Sequence, residues 1–286
     1  MSAAIIDGRA AAAELRAGLF SRATRQREAG VVPRLVVVLA GDDEASLAYV
    51  RSLVGTGKQT AIDVDVATLG TDASEEALRA ELERLGHDRT VHGVMLQQPL
   101  PSGVALRNVA ESIAANKDVD CSSPVNQGRL AFGGAAFVPA TPAAVMVLLE
   151  RSPAWPLRGK ACIVIGRSSV VGVPVALLAM RADATVTIAH SKTLDLPATV
   201  RRADVVVAAA GVPRMVTGEM LRAGCTVIDV GTTVVDGKLV GDVDFESART
   251  VAAAITPVPG GVGPVTNAAL MQNVLTACER LTDGLR

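Results

Sequence analysis

The sequence predicts an α/β protein of two lobes with parallel sheets, and three observations predict it. Short apolar runs rich in Val and Ile alternate with helical patterns, the order that builds strand–helix–strand units with parallel pairing. In the second half, four such runs are nearly all apolar, as strands buried on both faces are. Between the halves lies VNQGRLAFGGAAFVPATPAA, rich in Gly and Pro and without clear periodicity, which marks it as the boundary. A chain of 286 residues has the length for two ordinary domains. The expected division is 1–140, completed by a C-terminal helix over 267–286, and 141–266.

In chain order, RLVVVLAG (34–41) is a short β-branched run stopped by Gly41 and Asp42, a buried strand. YVRSLVGTGKQTA (49–61) reads as a helix weakened by Gly55 and Gly57. Each interior glycine costs about 1 kcal/mol, so the chain is free to bend there. DVDVATLG alternates as a strand, and TDASEEALRAELERLG reads as a helix with an Asp72/Glu75 capping box and Gly86 at its end. HGVMLQQPLP is a strand running into a proline-stiffened loop. After the boundary come a helix, PAAVMVLLERS, and four strands, ACIVIG, ATVTIAH, ADVVVAAAG and CTVIDVG. The last helix, NAALMQNVLTACERL, follows the loop TPVPGGVGPVT.

Composition excludes several classes. The chain is 49% hydrophobic and 20% charged, as soluble globular proteins are. A net charge of −1 offers no basic excess to neutralise phosphates, which speaks against a nucleic-acid partner. Cys121, Cys162, Cys225 and Cys278 are widely spaced with no C-x-x-C pair, so they read as free thiols and no metal site is expected. That suits a reducing cytoplasm. Asp7, Arg9, Glu14 and Arg16 interrupt the apolar N-terminus, unlike a signal sequence, and no apolar run is long enough to span a bilayer.

ACIVIGRSSVVGVPVALLAM has the order strand, glycine turn, helix. Gly166 allows the sharp turn and Gly172 a close helix–strand approach, while the helix N-terminus offers N–H groups to a phosphate. The G-x-G-x-x-G fingerprint is absent and the spacing is G-x5-G. In an NAD site the end of the next strand usually carries a carboxylate for the ribose 2′-hydroxyl. Here it reads His190, Ser191, Lys192, Thr193, and Arg167 stands in the first turn. Cationic and hydroxyl groups at these places suit a 2′-phosphate, so the cofactor inferred is NADP.

Several loops together resemble one family. GRSSVVGVP (166–174), HSKT (190–193), DVGTT (229–233), GDVDF (241–245) and TPVPGGVGPVT (256–266) are similar to bifunctional methylenetetrahydrofolate dehydrogenase/cyclohydrolases. So are LQQPLP (96–101), NKDVD (116–120) and PATP (139–142), and the match runs in order over essentially the whole chain. The resemblance implies an N-terminal folate lobe, a Rossmann-like NADP lobe and a homodimer acting on a tetrahydrofolate one-carbon substrate. It implies cofactor contacts at Gly166, Arg167, Ser168, Ser191 and Thr232, where Thr232 stands in place of the usual isoleucine, and the strand–turn–helix reading adds Gly172 and His190. It implies a catalytic and folate-binding set of Tyr49, Gln97 and Asp120, with Pro259 and Gly260 also on the substrate. Gln98, Cys121, Ala140 and Ala144 depart from the family pattern, which has leucine, glycine, cysteine and glycine at those places.

The family pattern also has a lysine four residues after the tyrosine, and here that residue is Leu53. Lys58 is nine residues from Tyr49, which on a helix points it away. Hydride transfer needs two carbons in apposition and no proton donor, whereas hydrolysis of the methenyl product needs proton movement. The expectation is a dehydrogenase with cyclohydrolase activity weak or absent. Two other readings stay open: a specialised paralogue using a modified one-carbon carrier or serving a dedicated pathway, and an NADP- or folate-binding module without turnover.

Overall fold

The computed structural model describes residues 2–283. In chain order the elements are β1 (Ala4–Ile5), α1 (Gly8–Glu28), β2 (Arg34–Ala40), α2 (Glu44–Thr60), β3 (Asp63–Leu69), α3 (Glu75–His87), β4 (Gly93–Leu96), α4 (Leu106–Val109), α5 (Pro124–Phe132) and α6 (Ala140–Glu150). They continue with β5 (Ala161–Ile165), α7 (Gly172–Arg181), β6 (Thr185–Ala189), α8 (Leu196–Val200), β7 (Val205–Ala208), β8 (Thr226–Asp229), β9 (Thr233–Val235), β10 (Lys238–Val240), α9 (Phe245–Ala248), β11 (Ala254–Ile255) and α10 (Val262–Asp283). The chain forms two compact units. One joins the residues up to Ala13 to Thr141–Thr266, and the other joins Glu14–Ala140 to the chain from Asn267 on.

The first unit holds a six-stranded sheet in the order β1-β11-β8-β7-β5-β6, parallel throughout. Every residue of β7 and β8 is buried, as their apolar runs require. β6 differs from the expectation of double burial: it is the edge strand, and Thr185, Thr187 and Ile188 are exposed. β5 lies between β6 and β7, so the chain leaves β5 toward one side and returns to the other. The carboxyl end of β5 is therefore a topological switch point, where α/β sheets bind ligands. Residues 2–13 belong here rather than with 14–140, because Ala4–Ile5 pairs with Ala254–Ile255. A two-residue strand is too short to show a pattern in sequence.

The second unit holds a parallel three-stranded sheet, β3-β2-β4. β2 is buried on both faces: Leu35 and Val37 pack with Leu53, Leu270, Met271 and Val274, and Val36 and Val38 pack with Leu78, Leu82 and Leu85.

Several local expectations are corrected. The cap of α3 is Ser74, whose hydroxyl accepts from the Ala77 N–H at 3.2 Å, not Asp72, and Gly86 lies inside the helix. A helix, Pro124–Phe132, runs into the aperiodic boundary stretch, started by Ser123 and closed by Gly133 in the left-handed conformation. α2 runs unbroken through Gly55 and Gly57. α10 starts at Val262, inside the Pro/Gly run, because a proline is tolerated in a helix's first turn. Residues 284–286 of the expected final helix lie outside the described residues. β9 and β10 form an antiparallel hairpin across Asp236 and Gly237, both at positive φ, which the Asp-Gly pair signals.

Candidate active site

In the six-stranded unit, the expected cofactor residues stand at the carboxyl ends of strands. Gly166 follows β5 with φ +130°, and a Cβ there would lie 2.1 Å from the Ala209 carbonyl oxygen after β7. A Cβ on Gly172 would lie 2.2 Å from the Gly166 oxygen, so only glycine permits this turn. Ser168 closes it, its Oγ accepting from the N–H groups of Val171 at 3.2 Å and Gly172 at 3.3 Å. Arg167 and Ser168 are exposed. After β6, His190 Nδ1 accepts from the Lys192 N–H at 3.1 Å and the His190 N–H donates to Thr193 Oγ1 at 2.9 Å. That tight turn presents Ser191 and Lys192 to solvent.

Thr232, Pro259 and Gly260 gather elsewhere on the same sheet edge. They line one cavity of about 180 Å³, which includes neither Gly166–Gly172 nor His190–Ser191. One buried carboxylate, Asp229, stands in its wall, and a second, Asp242, is bonded to it through its backbone N–H. Asp229, the last residue of β8, accepts at Oδ1 from Gly231 and Asp242 N–H at 2.9 Å each, and at Oδ2 from Val243 N–H at 3.0 Å. Its own N–H donates to Thr256 Oγ1 at 2.8 Å, tying in the Pro/Gly run. Burial raises its pKa to about 6 against those backbone donors, and Asp242 adds to the rise. Asp242 Oδ2 accepts from Ala210 and Gly211 N–H at 2.6 and 2.8 Å. Sequence reasoning passed over both, although DVGTT and GDVDF contain them.

In the three-stranded unit, Tyr49, Gln97 and Asp120 gather around α2. Gln97 follows β4 and is buried; its Nε2 donates to the Gln98 carbonyl at 2.6 Å and to Ser46 Oγ, on α2, at 3.4 Å. Asp120 accepts at Oδ1 from the Ala140 N–H at the start of α6, 3.2 Å away. Burial raises the Asp120 pKa to about 7, opposed by that N–H and assisted by Asp118. The Tyr49 phenol is pushed well above the usual range, by burial first and then by Asp120, which keeps it a neutral O–H donor. Asp118 and Asp120 look alike in sequence and differ in role. Asp118 is fully buried and accepts from Ser122 N–H, Ser123 N–H and Asn126 Nδ2 at 2.8, 2.9 and 2.9 Å. It folds the loop that carries Asp120. Between them and α5, Cys121 sits fully buried at φ +53°, where a glycine would be unstrained.

Leu53 is fully buried in the cluster that Tyr49 packs against. Lys58 is exposed at the end of α2 and lines a different cavity of about 380 Å³ with Arg27, Asp63 and Asp65; Tyr49, Gln97 and Asp120 do not line it. Among the described residues no group of three or more His, Cys, Asp or Glu side chains could hold a metal ion. No helix there is long and apolar enough to cross a membrane.

A glycine turn at the switch point of a parallel sheet, with cations and hydroxyls at the next strand's end, defines a dinucleotide-binding α/β protein with a separate second unit. Residues 6–120 match the catalytic domain of tetrahydrofolate dehydrogenase/cyclohydrolase, and residues 139–282 match the NAD(P)-binding domain of the same family. The chain belongs to the tetrahydrofolate dehydrogenase/cyclohydrolase family. It is 46% identical over 283 residues to bifunctional protein FolD 2 of Geobacter metallireducens, covering 99% of each chain. Among solved structures it resembles the FolD bifunctional enzyme of Campylobacter jejuni, with a TM-score of 0.94, 37% identity and coverage of 98% of this chain and 99% of that one. It also resembles the Trypanosoma brucei methylenetetrahydrofolate dehydrogenase-cyclohydrolase, solved with NADP and an inhibitor, with a TM-score of 0.93, 40% identity and 98% coverage of both.

Proposed function

We propose that this chain is an NADP-dependent methylenetetrahydrofolate dehydrogenase whose cyclohydrolase activity is weak or lost. Family membership and the names of its relatives support the first half. The observation that carries the second is Leu53, an apolar and fully buried side chain four residues after Tyr49, where the resemblance puts the family's lysine.

The six-stranded unit takes NADP. Arg167 and Ser191 meet the 2′-phosphate, Gly166, Ser168 and Gly172 admit the phosphates to the helix N-terminus, and His190 and Thr232 add contacts. The exposed arginine and hydroxyls at these strand ends fit that group. When bound, the nicotinamide supplies the carbon that accepts a hydride. The three-stranded unit takes the folate. Asp120 and Gln97 orient the pterin, and Tyr49 presents a neutral hydroxyl to it. The methylene carbon between the two folate nitrogens loses a hydride, and the nitrogen lone pairs stabilise the cation that remains. No protein acid or base is needed for that step, so it survives a leucine at position 53.

Hydrolysis of the methenyl product differs. Water adds to the cationic carbon, and a proton must move before the ring opens. A positioned acid or base contributes about 10²–10⁴-fold to such a step, and leucine has no proton to move. We also take the chain to act as a homodimer in a reducing cytoplasm, which suits four cysteines that are free and buried. A second reading draws on the clustering of departures: Leu53, Cys121 and Ala140 are buried in the same cluster, against which Tyr49 packs. Concerted change there suits a specialised paralogue for a modified one-carbon carrier.

The test follows both reactions with purified protein, at 340 nm for NADPH formation and separately for loss of methenyltetrahydrofolate. The expected result is turnover with NADP and slow hydrolysis, with Leu53→Lys raising hydrolysis by about 10²-fold or more. Rapid hydrolysis by the wild type would sink the cyclohydrolase half, and turnover only with a modified folate would favour the paralogue.

A further inference from the structure

Two buried amides in the three-stranded unit are only half-partnered. Gln97 donates through Nε2 to the Gln98 carbonyl and Ser46 Oγ, and its Oε1 has no donor among the described residues. Asn267, in the second turn of α10 and 7% exposed, donates through Nδ2 to Ser52 Oγ at 2.7 Å. Its Oδ1 is likewise buried without a donor. The Gln98 carbonyl fixes which way Gln97 turns.

Both serines stand on α2. Ser46, Tyr49 and Ser52 follow one another at intervals of three, which places them on one side of that helix. At 1.5 Å of rise per residue, the two amides engage α2 about 9 Å apart along its axis, with Tyr49 between them. One turn further along α10, Leu270 and Met271 pack in the cluster that holds Leu53, the residue after Ser52. Gln97 already has a place in the proposed site and Asn267 has none. A buried acceptor left empty is costly, and it persists where a ligand or water supplies the donor.

We infer that Asn267 is a further substrate-contacting residue, whose Oδ1 accepts a hydrogen bond from an N–H of the reduced folate beside Leu53. This rests on the folate reading of the three-stranded unit. With the lysine position apolar, Asn267 is the polar group that holds the carrier at that end of α2, and Ser52 holds Asn267 in place. An N–H that meets this oxygen is paired, and a carrier lacking it leaves the oxygen empty, so the residue bears on which carrier is accepted.

The experiment compares wild type, Asn267→Leu and Asn267→Asp. Tetrahydrofolate and NADP affinities are read by calorimetry, and KM and kcat at 340 nm. Asn267→Leu should weaken tetrahydrofolate and raise the folate KM about tenfold, with kcat within about threefold and NADP affinity unchanged. Asn267→Asp keeps an acceptor and takes the Ser52 hydroxyl as donor, so it should retain most of the folate affinity. Wild-type tetrahydrofolate affinity in Asn267→Leu overturns the inference and leaves a water as the partner of Oδ1. If Asn267→Leu loses NADP affinity as well, Asn267→Asp decides: retained folate affinity supports the inference and a tenfold loss overturns it. A wild-type protein that neither binds tetrahydrofolate nor turns over overturns the folate reading itself, a separate result.

Discussion

Asp120 is a carboxyl that its surroundings hold far from its ordinary titration. Burial raises its pKa to about 7, whereas an unfolded aspartate ionises near 4. Between those values the folded chain keeps a proton that the unfolded chain releases, so this group makes stability fall as pH rises from about 4 to about 7. Asp120→Asn removes that linkage. Its stability should change less than the wild type's between pH 4 and 8 and should exceed it at pH 8, read by denaturant unfolding at both ends; equal slopes for the two proteins would refute this. A carboxylate is also the form that accepts N–H groups from a pterin. The folate KM of the wild type should therefore rise as pH falls below about 7, and that rise should be absent in Asp120→Asn. The motifs mark Tyr49, Gln97 and Asp120 as the proposed site residues. Asp118, two residues away and of the same type, could not be assigned its structural role, because burial and three donors decide it.

At the scale of an element, α2 carries three small-residue positions with different consequences. A Cβ on Gly57 would lie 2.5 Å from Val64 Cγ2 and 2.7 Å from the Ile62 oxygen, so this glycine lets the helix sit against β3. Gly55 has nothing within 4 Å of where a Cβ would go. Ala61, the C-cap, holds φ +55°, and the Ile62 N–H reaches back to the Gly57 oxygen at 3.0 Å. Gly55→Ala should therefore stabilise by about 0.5–1 kcal/mol, Ala61→Gly by about 1 kcal/mol through release from the left-handed region, and Gly57→Ala should destabilise. Thermal and denaturant unfolding rank the three, and a destabilised Gly55→Ala would contradict the open space beside it. The expected bend at Gly55 and Gly57 is absent because packing on β3 outweighs propensity. Likewise α5 was hidden in a stretch without periodicity, although Ser123-Pro124 at its start and Gly133 at its end are ordinary helix signals.

For the whole molecule, a cofactor that binds only the folded chain stabilises it by mass action. At a hundredfold excess over Kd this is about 2.7 kcal/mol. NADP should raise Tm by several degrees, and NAD at equal concentration by less, if Arg167 and Ser191 read the 2′-phosphate; equal shifts would remove that role. Light scattering should return twice the chain mass for the proposed homodimer, and a monomer at micromolar concentration would refute it.

The amino-acid order alone determined the α/β class, the parallel strands, the glycine turn after β5, the family and the apolar residue at position 53. These are local matters: period, turn chemistry and motif are carried by neighbours in the chain. Tertiary structure decided the rest. Residues 2–13 joined the six-stranded unit through a two-residue pairing with Ala254–Ile255. Thr232, Pro259 and Gly260 met around one cavity, with Asp229 tying together the loops that form it. Asn267 reached Ser52 across 215 positions of sequence. Such contacts depend on which faces are brought together and desolvated, and a linear pattern carries no record of that.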